Sequence, residues 1–386
     1  MNEMRFSMLF LFMGLILFSC SEKSTIETKG KLTILHLHGN QYSRGFSHGK
    51  LLKKEIGQIL SKWKKEVEGT YNKRFDTVVS SFFKETSYLD TIEKYKPELL
   101  NEIKGISDGA EIEYETILAF QMSEEIDVLA GEISGKHCTS IGIASTDSTP
   151  SFLSQNMDPP LFLHGKPVLL HIYSEESQNE SYVYTFPGFI GLTGLNSKGV
   201  AITCMSLSML NYSKSGMPVS FIVRSVLEQD TEHDAFELIQ KMPIAIPQCF
   251  IIGGKNEVKC FECSANQKTS FYPFKNRDIC LHTNYAITNK DFNEKFIELL
   301  KQYRKTPDDP YYCPRYYLAY DKIVECNYNL NYNTIQKILS LHEPEIEPIS
   351  NQYTYGSLIM ELSEKPILYL CPDRPDSVNY SKIGFK

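Results

Sequence analysis

The chain has 386 residues, 42% of them hydrophobic and 23% charged, with ten cysteines and a formal net charge of −7. A chain of that length and composition buries a full core without disulfide or metal staples. The net negative charge argues against a broad nucleic-acid face, which needs clustered Lys and Arg; the densest basic stretch, Lys50 to Lys65, carries Glu55 at helical spacing and reads as a solvated helix face.

The first predicted element is a leader. Arg5 precedes an apolar run from Phe6 to Phe18, shorter than the ~20 residues a stable span needs. The run ends in "LFSC", Leu17 to Cys20, which resembles a bacterial lipoprotein lipobox. The resemblance implies cleavage before Cys20 and a diacylglyceryl group on its sulfur. Residues 1–19 are then the signal peptide and 20–30 a polar tether, "SEKSTIETKGK" continuing to Lys31. The expected location is the bacterial cell envelope, with membrane contact through the lipid anchor alone. Export puts the remaining cysteines where disulfides persist, with their pairing left open.

Lys31 to Gly39 alternates as a strand does. Residues 40–130 then read as mostly helical. Leu52, Ile56, Ile59, Trp63 and Val67 form one apolar stripe. A second runs through Ile92, Tyr95, Leu99, Ile103 and Ile106, and a third covers Thr116 to Leu129. The texture changes at Cys138. Strands are predicted at Thr139–Ala144, Ser151–Gln155, Val168–Tyr173, Ser181–Phe186 and Val200–Ser206, separated by the turn signals "TDSTP", "EESQN" and "LNSKG". Two helices follow, at Val219–Glu228 and Thr231–Lys241. Strands return at Cys249–Gly253, Val258–Ser264, Ser270–Phe274 and Ile279–His282. Helices fit Phe292–Tyr303, Arg315–Cys326 and Thr334–Leu341, and strands Ser357–Leu362 and Pro366–Leu370 close the chain. Strands joined by short turns form antiparallel sheets, and helices cover their outer faces. The expected class is α+β, two stacked antiparallel sheets with helical layers outside.

No nucleotide-binding glycine loop, metalloprotease helix or serine-hydrolase elbow is present. His36 and His38 share a strand face and read as polar positions beside a loop. Cys260 and Cys263 make a single C-x-x-C, without the second pair or nearby histidines of a structural zinc site. Cys138 carries the chemical interest. It opens a strand, and a hairpin brings Gln155, Asn156 and Asp158 back beside it. A thiol with an ordinary pKa of ~8.5 needs a base, and no histidine lies within the hairpin. A chain cut before Cys138 supplies one: the new α-amino group, with a pKa of about 7.7–8.0, activates its own thiol. Asp158 then holds that amine.

"CTSIGIASTDSTPSFLSQNMD", from Cys138, resembles the nucleophile hairpin of N-terminal-nucleophile (Ntn) amidohydrolases of the choloylglycine hydrolase and penicillin acyltransferase type. "GNQYSRGFSHGKLL" and "PELLNEIKGISDGAEI" resemble the segment ahead of the cysteine in the acyl-CoA:6-aminopenicillanic acid acyltransferase group. The resemblance implies a four-layer αββα sandwich and an autocatalytic cut between His137 and Cys138. Residues 31–137 would stay bound to a catalytic chain of 138–386. It further implies Cys138 as nucleophile, Asp158 at the α-amino group, Asn284 as oxyanion donor and Arg315 near the cysteine. No metal or organic cofactor is implied, and the partner is a small linear amide with an apolar acyl group. Two positions depart from the bile-salt hydrolases. Gln155 stands where they carry an arginine, and Ser206 where they carry an asparagine, leaving the second oxyanion donor to the Ser206 hydroxyl or a backbone N–H. Two other readings stay open: a Cys–His–Asn hydrolase using Cys138 and His282 without processing, and a ligand-binding surface lipoprotein without catalysis.

Overall fold

The computed structural model describes residues 23–131, 138–174, 179–274, 278–306, 313–343 and 347–385. The leader, Cys20 and His137 lie outside them. Strands β1 (Thr25–Lys29) and β2 (Leu32–Leu37) pair antiparallel about Gly30, whose φ of +58° suits the turn. Part of the expected tether is therefore an edge strand, kept polar and mostly exposed as edge strands are.

The helical segment comprises α1 (Gln41–Leu51), α2 (Lys53–Tyr71), α3 (Phe75–Glu85), α4 (Tyr88–Tyr95), α5 (Pro97–Ala110), α6 (Tyr114–Phe120) and α7 (Ser123–Leu129). The predicted second helix is two helices, because Pro97 has no N–H to continue α4 and is well placed to start α5. The third is divided between α6 and α7 at Gln121 and Met122. Helices α1 and α5 pack with their backbones in contact. Gly45 and Gly49 of α1 lie against Gly105 and Gly109 of α5, and a Cβ on Gly45 would stand 1.9 Å from the Glu102 carbonyl oxygen.

The rest of the chain runs β3 (Thr139–Ile143), β4 (Ser151–Met157), β5 (Val168–Tyr173), β6 (Glu180–Thr185), β7 (Thr193–Asn196), β8 (Ala201–Ser206), α8 (Val219–Leu227), α9 (Glu232–Lys241), β9 (Gln248–Gly253), β10 (Val258–Cys263), β11 (Lys268–Ser270), β12 (Ile279–His282), α10 (Glu294–Gln302), α11 (Pro314–Glu325), α12 (Tyr332–Leu339), β13 (Gly356–Leu362), β14 (Ile367–Cys371) and β15 (Ser381–Gly384). Among the described residues these form two sheets. One has nine strands in the order β1-β2-β5-β6-β7-β8-β9-β10-β11, the other six in the order β12-β3-β4-β13-β14-β15. All pairings are antiparallel except β2 with β5. The strand predicted at Ser270–Phe274 instead occupies Lys268–Ser270, the closing strand Pro366–Leu370 appears as β14, and β7 and β15 complete what the turn-based reading left short.

Strands β3 and β4 pack on β8, β9 and β10, while α8 and α9 cover the outside of the nine-stranded sheet. Helices α11 and α12 cover the six-stranded sheet, burying Ile141, Phe152, Ile323, Ile335 and Ile359. The architecture is the four-layer αββα sandwich. Helices α1–α7 extend the outer layer on the nine-stranded side. Glu102 of α5 forms a buried two-pronged pair with Arg224 of α8, at 2.6 and 2.9 Å. Glu125 of α7 accepts from the Val219 N–H at the start of α8 at 2.9 Å, placing a carboxylate at a helix N-terminus.

Polar contacts also cross between the sheets. Ser140 and Thr203 hydroxyls meet at 2.9 Å. Cys260 and Cys263 stand three apart on β10 and so face opposite sides of the sheet. His36 Nδ1 lies 3.0 Å from His171 Nδ1, and His38 stacks on Tyr173.

Candidate active site

The β3–β4 hairpin pairs Thr139 with Asn156 and Ser140 with Gln155. Cys138, one step before Thr139, therefore lies beside Asp158. The Asp158 N–H points at the Cys138 sulfur, 3.5 Å away. Cys138 is 8% exposed, and none of the described cysteines forms a disulfide. Pro159 and Pro160 end β4 and turn the chain away.

Asp158 is buried, 1% exposed. Its Oδ2 accepts from Asn351 Nδ2 at 2.6 Å, whereas Oδ1 is buried without a hydrogen-bond partner. Burial pushes its carboxyl up to about 7, against the opposing pull of the Arg315 charge and of hydrogen bonds from Asn351 and Thr354. Arg315 follows Pro314 at the start of α11 and is 4% exposed. Its Nη1 donates to the Cys138 carbonyl oxygen at 2.7 Å and to Thr139 Oγ1 at 3.1 Å. A cation in the first turn opposes the helix dipole, so its position there serves the hairpin and not α11.

Asn284 follows β12 and is half-buried. Its Nδ2 donates to the Ser206 carbonyl oxygen at 3.3 Å. The Ser206 hydroxyl, expected as one of two oxyanion donors, instead donates to Glu124 of α7. Gln248 Nε2 donates to the same Glu124 oxygen at 2.8 Å. Gln155, expected near substrate, is 1% exposed and gives its Nε2 to the Cys204 carbonyl at 2.7 Å.

A cavity of about 640 Å³, counting its open mouth, lies where the start of β3 and the ends of β4 and β8 meet. Cys138, Asp158 and Ser206 line it; Asn284, Arg315 and Gln155 do not. Its apolar wall includes Met157, Leu163, Phe186, Phe189 and Leu192. Glu124 and Asp127 of α7 also line it. Sequence reasoning missed Glu124, Asp127, Gln248 and Asn351. The only local sign was the run of acids Glu124, Glu125 and Asp127 in one short helix.

His282 is fully buried. Its Nε2 meets Glu262 Oε1 at 2.8 Å and its Nδ1 meets the Thr283 carbonyl. Despite burial, hydrogen bonds and charge from His282, with the N–H groups of Asn289 and Ile287, hold the Glu262 carboxyl below the usual range. Both ring nitrogens of His282 are thus engaged away from Cys138.

Protein dcd1B of Dictyostelium discoideum is 25% identical over 245 residues, which is 57% of this chain and 47% of its own length. The acyl-coenzyme A:6-aminopenicillanic-acid-acyltransferase 40 kDa form of Emericella nidulans is 24% identical over 262 residues, 66% of this chain and 70% of its own. The chain spans about half the length of most of the curated relatives it matches. A Caenorhabditis elegans N-acylethanolamine-hydrolyzing acid amidase ortholog overlies 64% of this chain and 100% of its own, at 19% identity and a TM-score of 0.43. The model of the acyl-coenzyme A:6-aminopenicillanic acid acyl-transferase family matches residues 145–306, a span holding Asp158 and Asn284 but neither Cys138 nor Arg315. Over that span the chain is similar to the acyl-coenzyme A:6-aminopenicillanic acid acyl-transferase family.

Proposed function

We propose that the chain is a cysteine amidohydrolase or acyltransferase that cuts itself between His137 and Cys138. The observation that carries the reading is the unpartnered, buried Oδ1 of Asp158, a residue whose backbone N–H meets the Cys138 sulfur. A buried carboxylate oxygen without a donor is costly. An α-ammonium created at Cys138 supplies the missing donor. Arg315 holds the Cys138 carbonyl, which keeps the new terminus in register with β4.

In the mature enzyme the Cys138 sulfur attacks the carbonyl carbon of an amide, and its proton passes to its own α-amino group. Asn284 steadies the oxyanion. The tetrahedral adduct collapses, the C–N bond breaks, and the α-ammonium returns its proton to the leaving amine. A thioester remains on Cys138. Water releases a carboxylic acid; a second amine gives a new amide. The apolar wall of the cavity fits an apolar acyl group. The acyl transfer named in the Emericella nidulans relative supports the second outcome as well as the first. The geometry of His282 disfavours the unprocessed Cys–His–Asn alternative. We also propose export and lipid anchoring through Cys20, tested by mass spectrometry of the mature N-terminus; an unmodified Cys20 overturns that part alone.

Denaturing gels and N-terminal sequencing test the processing. Two chains are expected, the second beginning Cys-Thr-Ser, with a Cys138→Ala variant remaining single. A single unbroken chain that still turns over amides would refute the mechanism.

A further inference from the structure

We propose that the buried Glu262–His282 pair is a positioning element for the reaction, holding in place the turn that carries Asn284. This rests on the amidohydrolase reading above. Glu262 lies on β10 of the nine-stranded sheet, and His282 ends β12 at the edge of the six-stranded sheet. Both side chains are fully buried, and Glu262 Oε1 meets His282 Nε2 at 2.8 Å. Asn284 stands two residues beyond His282. The same carboxylate accepts from three consecutive backbone N–H groups on the far side of Asn284: Ile287 at 2.6 Å, Thr288 at 2.8 Å and Asn289 at 2.6 Å. The Thr288 hydroxyl adds a further donor at 3.0 Å, and Asn289 Nδ2 donates to the Glu262 carbonyl at 3.1 Å. One residue thus staples both flanks of the Asn284 turn.

Successive N–H groups gathered around one anion form a nest. Residues 287–289 belong to no helix or strand, so the carboxylate they share sets the path of their backbone. His282 Nδ1 faces the Thr283 carbonyl, which only accepts, and Nε2 faces a carboxylate already engaged by four other donors. Both ring nitrogens therefore donate, and the ring has no lone pair with which to act as a base. Its backbone meanwhile pairs with Ser140, two residues past Cys138. The pair thus ties the turn of the oxyanion donor to the strand of the nucleophile, across the two sheets. Asn284 has little else to fix it. A single bond of 3.3 Å sets its side-chain plane, and its Oδ1 is buried without a partner. Its place depends on the backbone that Glu262 holds, and a misplacement of about 1 Å costs about 10²-fold in rate.

The test uses the dodecanoyl amide of para-nitroaniline and the full-length, matured protein, with rates taken per mole of chain cut before Cys138. Glu262→Gln keeps the shape but removes the charge and one acceptor oxygen. Thr288→Val, at a half-buried position, removes only the hydroxyl donor and serves where Glu262→Gln does not fold or mature. Glu262→Gln should lower kcat about 10- to 100-fold and Thr288→Val about fivefold, with KM within about threefold of wild type in each. Alkylation of Cys138 by iodoacetamide, a reaction without an oxyanion, should stay within about twofold of the wild-type rate. In an Asn284→Ala background either change should lower kcat by less than about twofold, because the donor it positions is gone. An unchanged kcat in every variant that folds, a matching fall in alkylation, or losses that multiply fully with Asn284→Ala overturns the inference and leaves the amidohydrolase reading standing. Wild-type kcat in Asn284→Ala alone overturns it together with the oxyanion role of Asn284. No cleavage of the anilide by the wild type, with no acyl mass added at Cys138, overturns both the inference and the amidohydrolase reading.

Discussion

Arg315 Nη1 and the carbonyl oxygen of Cys138 lie 2.7 Å apart, so a side chain 177 positions further along the chain holds the backbone of the proposed nucleophile. The same nitrogen reaches Thr139 Oγ1, and a charged donor shared between two acceptors pins both Cys138 and the first residue of β3. Replacing Arg315 by Met removes both bonds. A charged hydrogen bond is worth about 1.5–3 kcal/mol, so amide turnover is expected to fall roughly 10- to 150-fold. Self-cleavage should slow with it. Arg315→Lys keeps a charge but not the planar fork, and should recover only part of the loss. Time courses of chain cleavage, alongside kcat/KM, check both; wild-type behaviour in the Met variant would remove Arg315 from the site.

Asp158 makes the uncut protein sensitive to pH in an unusual direction. Burial pushes its folded pKa up to about 7, whereas an unfolded aspartate titrates near 3.9. The folded chain thus holds the extra proton between about pH 4 and 7. Its stabilising share is complete below pH 4 and is lost as pH rises through 7. In an uncut Cys138→Ala background, Asp158→Asn should reduce the fall in stability across that window by an amount on the order of a few kcal/mol. Denaturant midpoints at pH 4.5 and 7.5 measure it. Equal pH dependence with and without Asp158 would show that the carboxyl is not held protonated.

The β3–β4 hairpin was legible because alternation and the "TDSTP" turn fix its register locally, and register alone puts Asp158 beside Cys138. The helix layers were legible from apolar periodicity, which is also local. What escaped depends on distant packing. Strand β2 joins β5 in parallel only after the whole helical segment has intervened. Thr25–Lys29 looked like tether because its side chains face water, and its pairing with β2 is made by backbone groups that composition does not report. Glu124 reached the site because α7 is fastened to α8 through Glu125. Asn351 meets Asp158 across 193 positions of chain. Neither is visible in the residues nearby.

The α1–α5 crossing sets a sharp stability test. A Cβ on Gly105 would stand 2.2 Å from the Tyr42 carbonyl oxygen and 2.6 Å from the Phe46 nitrogen, both backbone atoms that cannot rotate away. Gly105→Ala should therefore cost about 3 kcal/mol or more by forcing the helices apart. Gly57, within α2, has nothing within 4 Å of its added Cβ. Gly57→Ala should stabilise by roughly 0.5–1 kcal/mol through helix propensity alone. Thermal or denaturant unfolding of the pair separates close approach from a general dislike of helical glycine; two changes of the same sign would contradict the packing described here.

Asn284 tests the electrostatic part of the chemistry. An amide nitrogen carries two hydrogens, and one is directed at the Ser206 carbonyl at 3.3 Å. That bond sets the side-chain plane and leaves the second hydrogen for the proposed oxyanion role. Ser206 cannot take over through its hydroxyl, which is already given to Glu124. Asn284→Ala should therefore lower kcat by about 10²- to 10³-fold, the usual cost of one oxyanion donor. KM should change little, because the bond forms fully only as charge develops. Asn284→Asp should do worse: it replaces a donor by an acceptor facing both the Ser206 carbonyl and the developing negative charge. The half-buried position predicts a small effect on melting temperature in either variant. Steady-state kinetics on one acyl amide decide the matter, and a kcat within threefold of wild type in Asn284→Ala would move the oxyanion site to backbone N–H groups.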